Sequence, residues 1–178
     1  MRVIAGKYRG LALSEFKGMQ IRPTADRVKE SLFNILSPHI AGARVLDLFC
    51  GSGGLGIEAI SRGACFTQFN DISKDSIAVL KKNLSKLRDE NFSVTNSDYS
   101  ACLSCAGRFD LIFIDPPYAE EYGVNALKLI AKGNNLNADG IAVFERDIKF
   151  EGEITGLELF DERKYGRTYL SFFKPALK

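Results

Sequence analysis

Apolar and polar residues run along the chain in blocks that switch between a strand-like and a helix-like period. Ala43-Arg44-Val45-Leu46-Asp47-Leu48-Phe49 is a short, nearly continuous apolar run ending at glycines, the pattern of a buried strand. Leu55 to Ser61 then reads as a helix closed by Gly63, and Cys65 to Phe69 as a second strand ending at Asn70-Asp71. Ser73 stands where an N-cap belongs, and Ile77, Leu80, Leu84 and Leu87 share one face of the helix behind it. Phe92 to Thr95 is a third strand. Phe109 to Ile114 is the most apolar run and leads straight into Asp115-Pro116-Pro117. A helix around Val124 to Lys132 and a strand from Gly140 to Glu145 follow. Strand–helix units of this length predict right-handed crossovers, hence an α/β fold with a mostly parallel sheet covered on both faces.

The two ends break the alternation. Ile154 to Phe160 and Thr168 to Phe173 are strand-like runs joined by a charged turn containing Gly166, which predicts a C-terminal antiparallel hairpin. Val3-Ile4-Ala5 and Leu11-Ala12-Leu13, separated by Gly6 and Gly10, predict a small basic hairpin. Thr24 then precedes a helix with an apolar stripe of Val28, Leu32, Ile35 and Leu36, stopped by Pro38. The chain therefore divides into a basic N-terminal appendage, 1–36, and an α/β domain, 37–178.

Composition narrows the class. With 178 residues, 46% hydrophobic and 26% charged, the chain can bury a core without disulfides, and disorder is excluded. No apolar window approaches the ~18–20 residues of a membrane helix. Met1 to Arg9 interrupts its apolar residues too often for a signal peptide, so the expected compartment is the cytoplasm. Cys102 and Cys105 form a C-x-x-C, but Cys50 and Cys65 are scattered and His39 stands alone. No four-ligand metal set arises, and the thiols are expected to be reduced. The net charge of +2 conceals an asymmetry: residues 1–35 are net +4, 36–162 net −7 and 163–178 net +5. If both ends fold onto one face, that face attracts a polyanion; otherwise they are solvated surface.

Three carboxylates stand beside the expected strand ends. Gly51-Ser52-Gly53-Gly54-Leu55-Gly56 fits G-x-G-x-x-G between a strand and a helix, a pattern that also suits dinucleotides. Asp47, just before it, would repel a pyrophosphate but accept from an ammonium group. Asp71, ending the second strand, can accept both hydroxyls of a ribose. Asp98, after the third strand, can accept from an adenine amino group. A cationic amino acid joined to a ribonucleoside without phosphates, as in S-adenosylmethionine, satisfies both Asp47 and Asp71, whereas Asp98 can also be an ordinary strand-end acid. The plain structural alternatives are a loop cap for Asp47 and a helix N-terminal acid for Asp71. Asp115-Pro116-Pro117-Tyr118 is the sharpest motif. The prolines lock the backbone, so the Asp115 carboxylate and the Pro116 carbonyl can act as paired acceptors for an exocyclic amine. Two acceptors on its N–H bonds push the amine lone pair toward an incoming methyl group. Tyr118 offers a plane for the base.

These motifs resemble the class I S-adenosylmethionine-dependent methyltransferases, a Rossmann-like fold, and more narrowly the RsmD family. The resemblance rests on Arg2-Val3-Ile4-Ala5-Gly6, on Arg22-Pro23-Thr24 leading into 27–36, on 45–53, on Asp115-Pro116-Pro117-Tyr118 and on Lys164-Tyr165-Gly166-Arg167-Thr168. It implies methylation of the N2 amine of a guanine in bacterial 16S rRNA, within the small ribosomal subunit or its assembly intermediate. It also implies Asp47, Phe49, Gly51 and Gly53 around the methionine moiety, Asp71 with Ile72 at the ribose, and Asp98 with Tyr99 at the adenine. Asp115, Pro116, Pro117 and Tyr118 would hold the guanine. On the RNA side stand Arg2, Lys7, Arg9, Arg22, Thr24, Arg27 and Arg167. The ribose acid is often Glu in relatives, and here it is the shorter Asp71. A monomer acting without metal or covalent intermediate is expected.

Competing readings remain. DNA or RNA adenine-N6 methyltransferases use the same Asp-Pro-Pro-Tyr, although 178 residues leave no room for a large target-recognition region. A binding module that has lost activity is opposed by intact Asp47, Asp71 and Asp115. A nicotinamide-dependent oxidoreductase is opposed by Asp47 and by the Asp-Pro-Pro-Tyr strand end.

Overall fold

The computed structural model describes residues 1–15, 23–117 and 120–176, apart from the side chains of residues 23–25 and 120. Among the described residues the helices are α1 (Pro23–Ile35), α2 (Gly54–Ser61), α3 (Lys74–Leu84), α4 (Tyr99–Cys105) and α5 (Glu120–Gly133), with a single 3-10 turn at Ser37–His39. Strands β1 (Arg44–Asp47), β2 (Phe66–Asn70), β3 (Phe92–Thr95), β4 (Phe109–Ile114), β5 (Leu136–Arg146), β6 (Leu157–Tyr165) and β7 (Thr168–Pro175) form one sheet. Its order is β3-β2-β1-β4-β5-β7-β6. The first five strands are parallel; β7 runs antiparallel to β5, and β6 antiparallel to β7. The expected mostly parallel α/β sheet with a C-terminal hairpin is what forms. No described helix is long and apolar enough to cross a membrane.

Strand alternation divides the core between the two faces. Val45, Leu111, Phe113, Ile141, Val143, Leu170 and Phe172 point to one side, against Val28, Leu32, Phe33 and Leu36 of α1. Leu46, Ile112, Ile114, Ala142 and Phe144 point to the other, against Cys102 and Leu103 of α4 and Ala126, Leu127 and Ile130 of α5. A strand buried on both faces needs apolar residues at odd and even positions alike, which is why Leu111 to Ile114 reads as an unbroken run. Helix α4 was not legible in the sequence, because its seven residues show a helical repeat too short to register. Ser73 does cap α3, its hydroxyl accepting from the Ser76 N–H at 3.2 Å.

The N-terminal hairpin is shorter than its two apolar triplets suggest. One bridge, Arg2 to Ala12, is present, with Val3 and Leu13 also bonding across to Leu11 and Met1. The segment then leaves its own pairing and lies along α2. The buried Glu58 carboxylate accepts from the N–H groups of Ile4 (2.8 Å) and Ala5 (3.0 Å) and pairs with Arg62 at 2.8 Å and Lys29 at 3.5 Å. Lys29 also donates to the Arg2 carbonyl at 2.7 Å, so one acidic side chain fastens the segment to α1 and α2 together. Burial pulls the Lys29 ammonium below its ordinary range, against the opposing pull of Glu58. Gly6 has φ +83°, and a Cβ there would meet the Ser61 carbonyl oxygen at 1.8 Å, so only glycine fits. Helix α1 starts at Pro23, which places Thr24 inside its first turn and not ahead of it.

The two basic ends do not share one edge. Residues 2–9 run along α2 toward Ser61, on the β2–β3 side of the sheet, whereas the hairpin β6–β7 forms the opposite edge. Because β7 is antiparallel to β5 and Tyr169 pairs with Arg146, the turn holding Arg167 lies at the same end of the sheet as Asp115.

Candidate active site

The strand order reverses between β1 and β4, since β2 follows on one side of β1 and β5 on the far side of β4. In an open parallel sheet the carboxyl ends of the strands at such a point form a crevice. Asp47 ends β1, Asp71 follows β2, Asp98 follows β3, Asp115 follows β4 and Glu145 lies near the end of β5. Five carboxylates thus line one rim of the sheet. Residues 45–61 contain neither Lys nor Arg.

Asp47 is 2% exposed, and its Oδ2 accepts from the Gly56 N–H at 2.8 Å, tying the glycine loop to the strand that precedes it. Burial raises its carboxyl to about 7; the Gly56 hydrogen bond opposes this, while the charges of Asp115 and Asp71 add to it. Asp71 closes the loop from the other side. Its Oδ2 accepts from the Gly51 N–H at 2.9 Å and its Oδ1 from the Ser73 N–H at 2.8 Å. Gly53 caps α2 with φ +88°, a left-handed conformation that a side chain would strain. Both acids therefore shape the loop as well as facing the crevice, and the loop-capping alternative for Asp47 is part of its geometry.

Aromatic faces continue the crevice. Phe49 lies 5.4 Å from Tyr99, centroid to centroid, and Tyr99 lies 5.9 Å from Tyr122 in an edge-on arrangement. Ile72 is 71% exposed beside Asp71. Asp98 caps α4, its Oδ1 accepting from the Ser100 N–H at 2.8 Å and the Ser100 hydroxyl at 2.5 Å. That hydroxyl holds the Asp98 carboxyl below the usual carboxylate range.

Asp115 is exposed toward the crevice and makes no hydrogen bond or ion pair among the described residues. Surrounding protein thins the water around it, and Asp147 adds its charge, raising the carboxyl to about 6. Pro116 is half-buried and Pro117 exposed. Tyr118 lies outside the described residues, as does Arg22, and the side chain of Thr24 is likewise not described.

The basic residues separate into two groups. Arg2, Arg9, Arg27 and Arg167 are exposed and without ion-pair partners among the described residues. Lys7 is not free, because its ammonium sits 2.6 Å from Glu90, whose carboxylate also accepts from the Tyr8 hydroxyl. Arg167 lines a shallow groove with Asp147, Lys149, Lys164 and Tyr169 at the Asp115 end of the sheet. Lys149, Tyr122 and Glu145 were missed by sequence reasoning. Lys149 and Tyr122 carry no motif, but Glu145, an acid ending an apolar strand, repeats the signal that singled out Asp47.

A family model described as "Conserved hypothetical protein 95" matches residues 1–174. The chain belongs to this family, the RsmD family of rRNA methyltransferases. The "Putative rRNA methyltransferase YlbH" of Bacillus subtilis (strain 168) is 41% identical over 181 residues, covering 98% of each chain. The "Ribosomal RNA small subunit methyltransferase D" of Haemophilus influenzae is 38% identical over 152 residues, covering 83% of this chain and 79% of its own. The solved structure of "Putative methyltransferase yhhF from Escherichia coli" superposes with a TM-score of 0.88 at 28% identity, covering 100% of this chain and 99% of that one.

S-adenosylmethionine is the cofactor implied by an RsmD family fold, and the residues present fit it. The crevice offers carboxylates to an ammonium and a diol and aromatic faces to a purine, with no cationic side chain in the loop to meet phosphates. Among the described residues no group of His, Cys, Asp and Glu could hold a metal ion.

Proposed function

We propose that this RsmD family chain moves a methyl group from S-adenosylmethionine to the exocyclic N2 amine of a guanine in 16S rRNA. The observation that carries the reading is Asp115, a carboxylate without a protein partner among the described residues that faces the crevice ahead of two prolines, next to the Asp47–Asp71 loop. Asp47 would accept from the cofactor's ammonium, with Phe49, Gly51 and Gly53 lining the methionine moiety. Asp71 and Ile72 would hold the ribose, and Asp98 and Tyr99 the adenine. When bound, the cofactor supplies an electrophilic methyl on a sulfonium.

The chain's own part is to orient the amine. Asp115 and the Pro116 carbonyl accept its two N–H bonds, Pro117 keeps that turn rigid, and Tyr118 stacks on the base. As nitrogen gains its bond to the methyl carbon, the carbon–sulfur bond would break to leave a thioether. The partly cationic nitrogen is then held more strongly by the ionised Asp115 than in the ground state, and that carboxylate takes the proton the amine sheds. With its carboxyl at about 6, Asp115 is ionised at neutral pH, and activity falls as pH drops through that value.

The guanine must leave its stack to reach this pocket. Residues 1–36 are read as the RNA-facing appendage to a catalytic unit of residues 37–178. Arg2, Arg9, Arg22, Thr24, Arg27 and Arg167 would contact RNA phosphates, and Lys7 would join them by exchanging Glu90 for a phosphate. The enzyme acts in the cytoplasm as a monomer without metal, on the small subunit or its assembly intermediate. The test is transfer of tritiated methyl onto small-subunit particles from a strain lacking this gene, with the modified nucleoside identified by mass spectrometry. N2-methylguanosine supports the reading; methyladenosine overturns the base assignment.

A further inference from the structure

The side chain at the end of β5 has no role in the fold that its neighbours supply. Ile114 pairs with Phe144 across β4 and β5, so Asp115 and Glu145 are the next residues of two adjacent strands, about 4.8 Å apart by sheet spacing. They also continue one face. Val45, Phe113 and Val143 all point toward α1, and Asp47, Asp115 and Glu145 are two positions further along the same three strands.

Glu145 is only partly exposed, yet among the described residues it makes no hydrogen bond and no ion pair. Burial, then the charges of Asp115 and Asp147, raise its carboxyl to about 8. Its oxygens are not among the buried unsatisfied atoms of the described residues, so they keep contact with water and are available to a ligand.

We propose that Glu145 determines which base the pocket accepts, by accepting the ring N1–H of the target guanine while Asp115 and the Pro116 carbonyl hold the neighbouring N2 amine. The inference rests on the guanine reading above and extends it from the reacting atom to base recognition. In guanine the atom next to the amine-bearing carbon is an N–H donor. In adenine the atom next to the amine-bearing carbon is a bare ring nitrogen, an acceptor. An ionised carboxylate only accepts, so Glu145 meets guanine's N1–H and gives a bare ring nitrogen nothing, and the N1–H bond itself favours the ionised form. Sites that read a base edge through buried polar groups reject an analogue lacking the partner atom, because the protein group is then left unpaired.

The experiment replaces the target guanine by 2-aminopurine in the RNA of reconstituted small-subunit particles. This base keeps the amine but lacks the N1–H and the exocyclic O6 carbonyl oxygen. Single-turnover methylation is measured on both substrates with wild type, Glu145→Ala and Glu145→Gln, and the guanine to 2-aminopurine ratio is compared. Wild type is expected to prefer guanine by about 10- to 100-fold more than Glu145→Ala does. Glu145→Gln keeps an acceptor for guanine and gains an amide N–H that can donate to the bare nitrogen of 2-aminopurine. Its ratio should fall chiefly through faster reaction with the analogue, an outcome that misfolding does not produce. An unchanged ratio in both variants overturns the role of Glu145 while leaving the function standing. Failure of wild type to methylate the guanine substrate at all overturns the function itself.

Discussion

The substitution Asp47→Asn separates what this carboxylate costs the fold from what it gives the site. The carboxyl is 2% exposed and raised from 3.8 to about 7. Below pH ~4 it is protonated in both folded and unfolded chains and contributes nothing to the pH dependence of stability. Between 4 and 7 the unfolded chain has released the proton and the native one still holds it, so native stability falls as pH rises. Above 7 the penalty is complete, up to about 4 kcal/mol at ~1.4 kcal/mol per pH unit of displacement.

The amide introduced by Asp47→Asn is neutral at every pH and keeps an oxygen for the Gly56 N–H, while its NH₂ group needs an acceptor, at a cost of about 1–3 kcal/mol. The variant-minus-wild-type stability should therefore rise with pH by roughly 3 kcal/mol between 4.5 and 7.5 and then level off. At pH 8 the cofactor-free variant should melt about 3–10 °C above wild type. Calorimetry should show the opposite for the ligand, with S-adenosylmethionine affinity reduced about 10- to 150-fold by loss of the charged acceptor. Thermal denaturation followed by circular dichroism at six pH values supplies the first readout. A stability difference independent of pH would refute the argument that burial strains this carboxyl, and unchanged affinity would refute its role toward the ammonium.

Asp115→Ala should collapse the single-turnover rate on small-subunit particles while leaving cofactor affinity nearly intact, and Asp115→Asn should also be slow because an amide oxygen carries no full charge; a near-normal Asp115→Ala rate would place the acceptor elsewhere. Gly6→Ala forces a Cβ against the Ser61 carbonyl oxygen at 1.8 Å and strains φ, so urea denaturation should show a loss of several kcal/mol, on the order of 2–4. Charge reversal of Lys164 and Arg167 should weaken particle binding and flatten its dependence on salt, read by filter binding across a salt series; binding indifferent to both would leave that groove as ordinary solvated surface.

Much of the architecture is a local property of the chain. The buried strands announce themselves as apolar runs because a parallel strand covered on both sides has no polar position to spare. The Ser73 cap and the hairpin turn at Gly166 are short-range chemistry, and both stand where the pattern put them. Asp47, Asp71, Asp98 and Asp115 were legible for a related reason: a carboxylate at or just past the end of a strand sits at the rim of a sheet.

Which rim residues become neighbours is not a local property. Strand order decides it, and the placing of β4 beside β1 and β5 brings Asp115 against Asp47 and Glu145 from positions 68 and 30 residues away. Tyr122 joins Phe49 and Tyr99 only because α5 and α4 pack side by side. Glu58, an unremarked helix residue in the sequence, becomes the anchor of the N-terminal segment once Lys29, Arg62 and two backbone N–H groups converge on it. Burial turns these acids into strained or anchored groups, and burial is a sum over the whole molecule that no window of sequence contains.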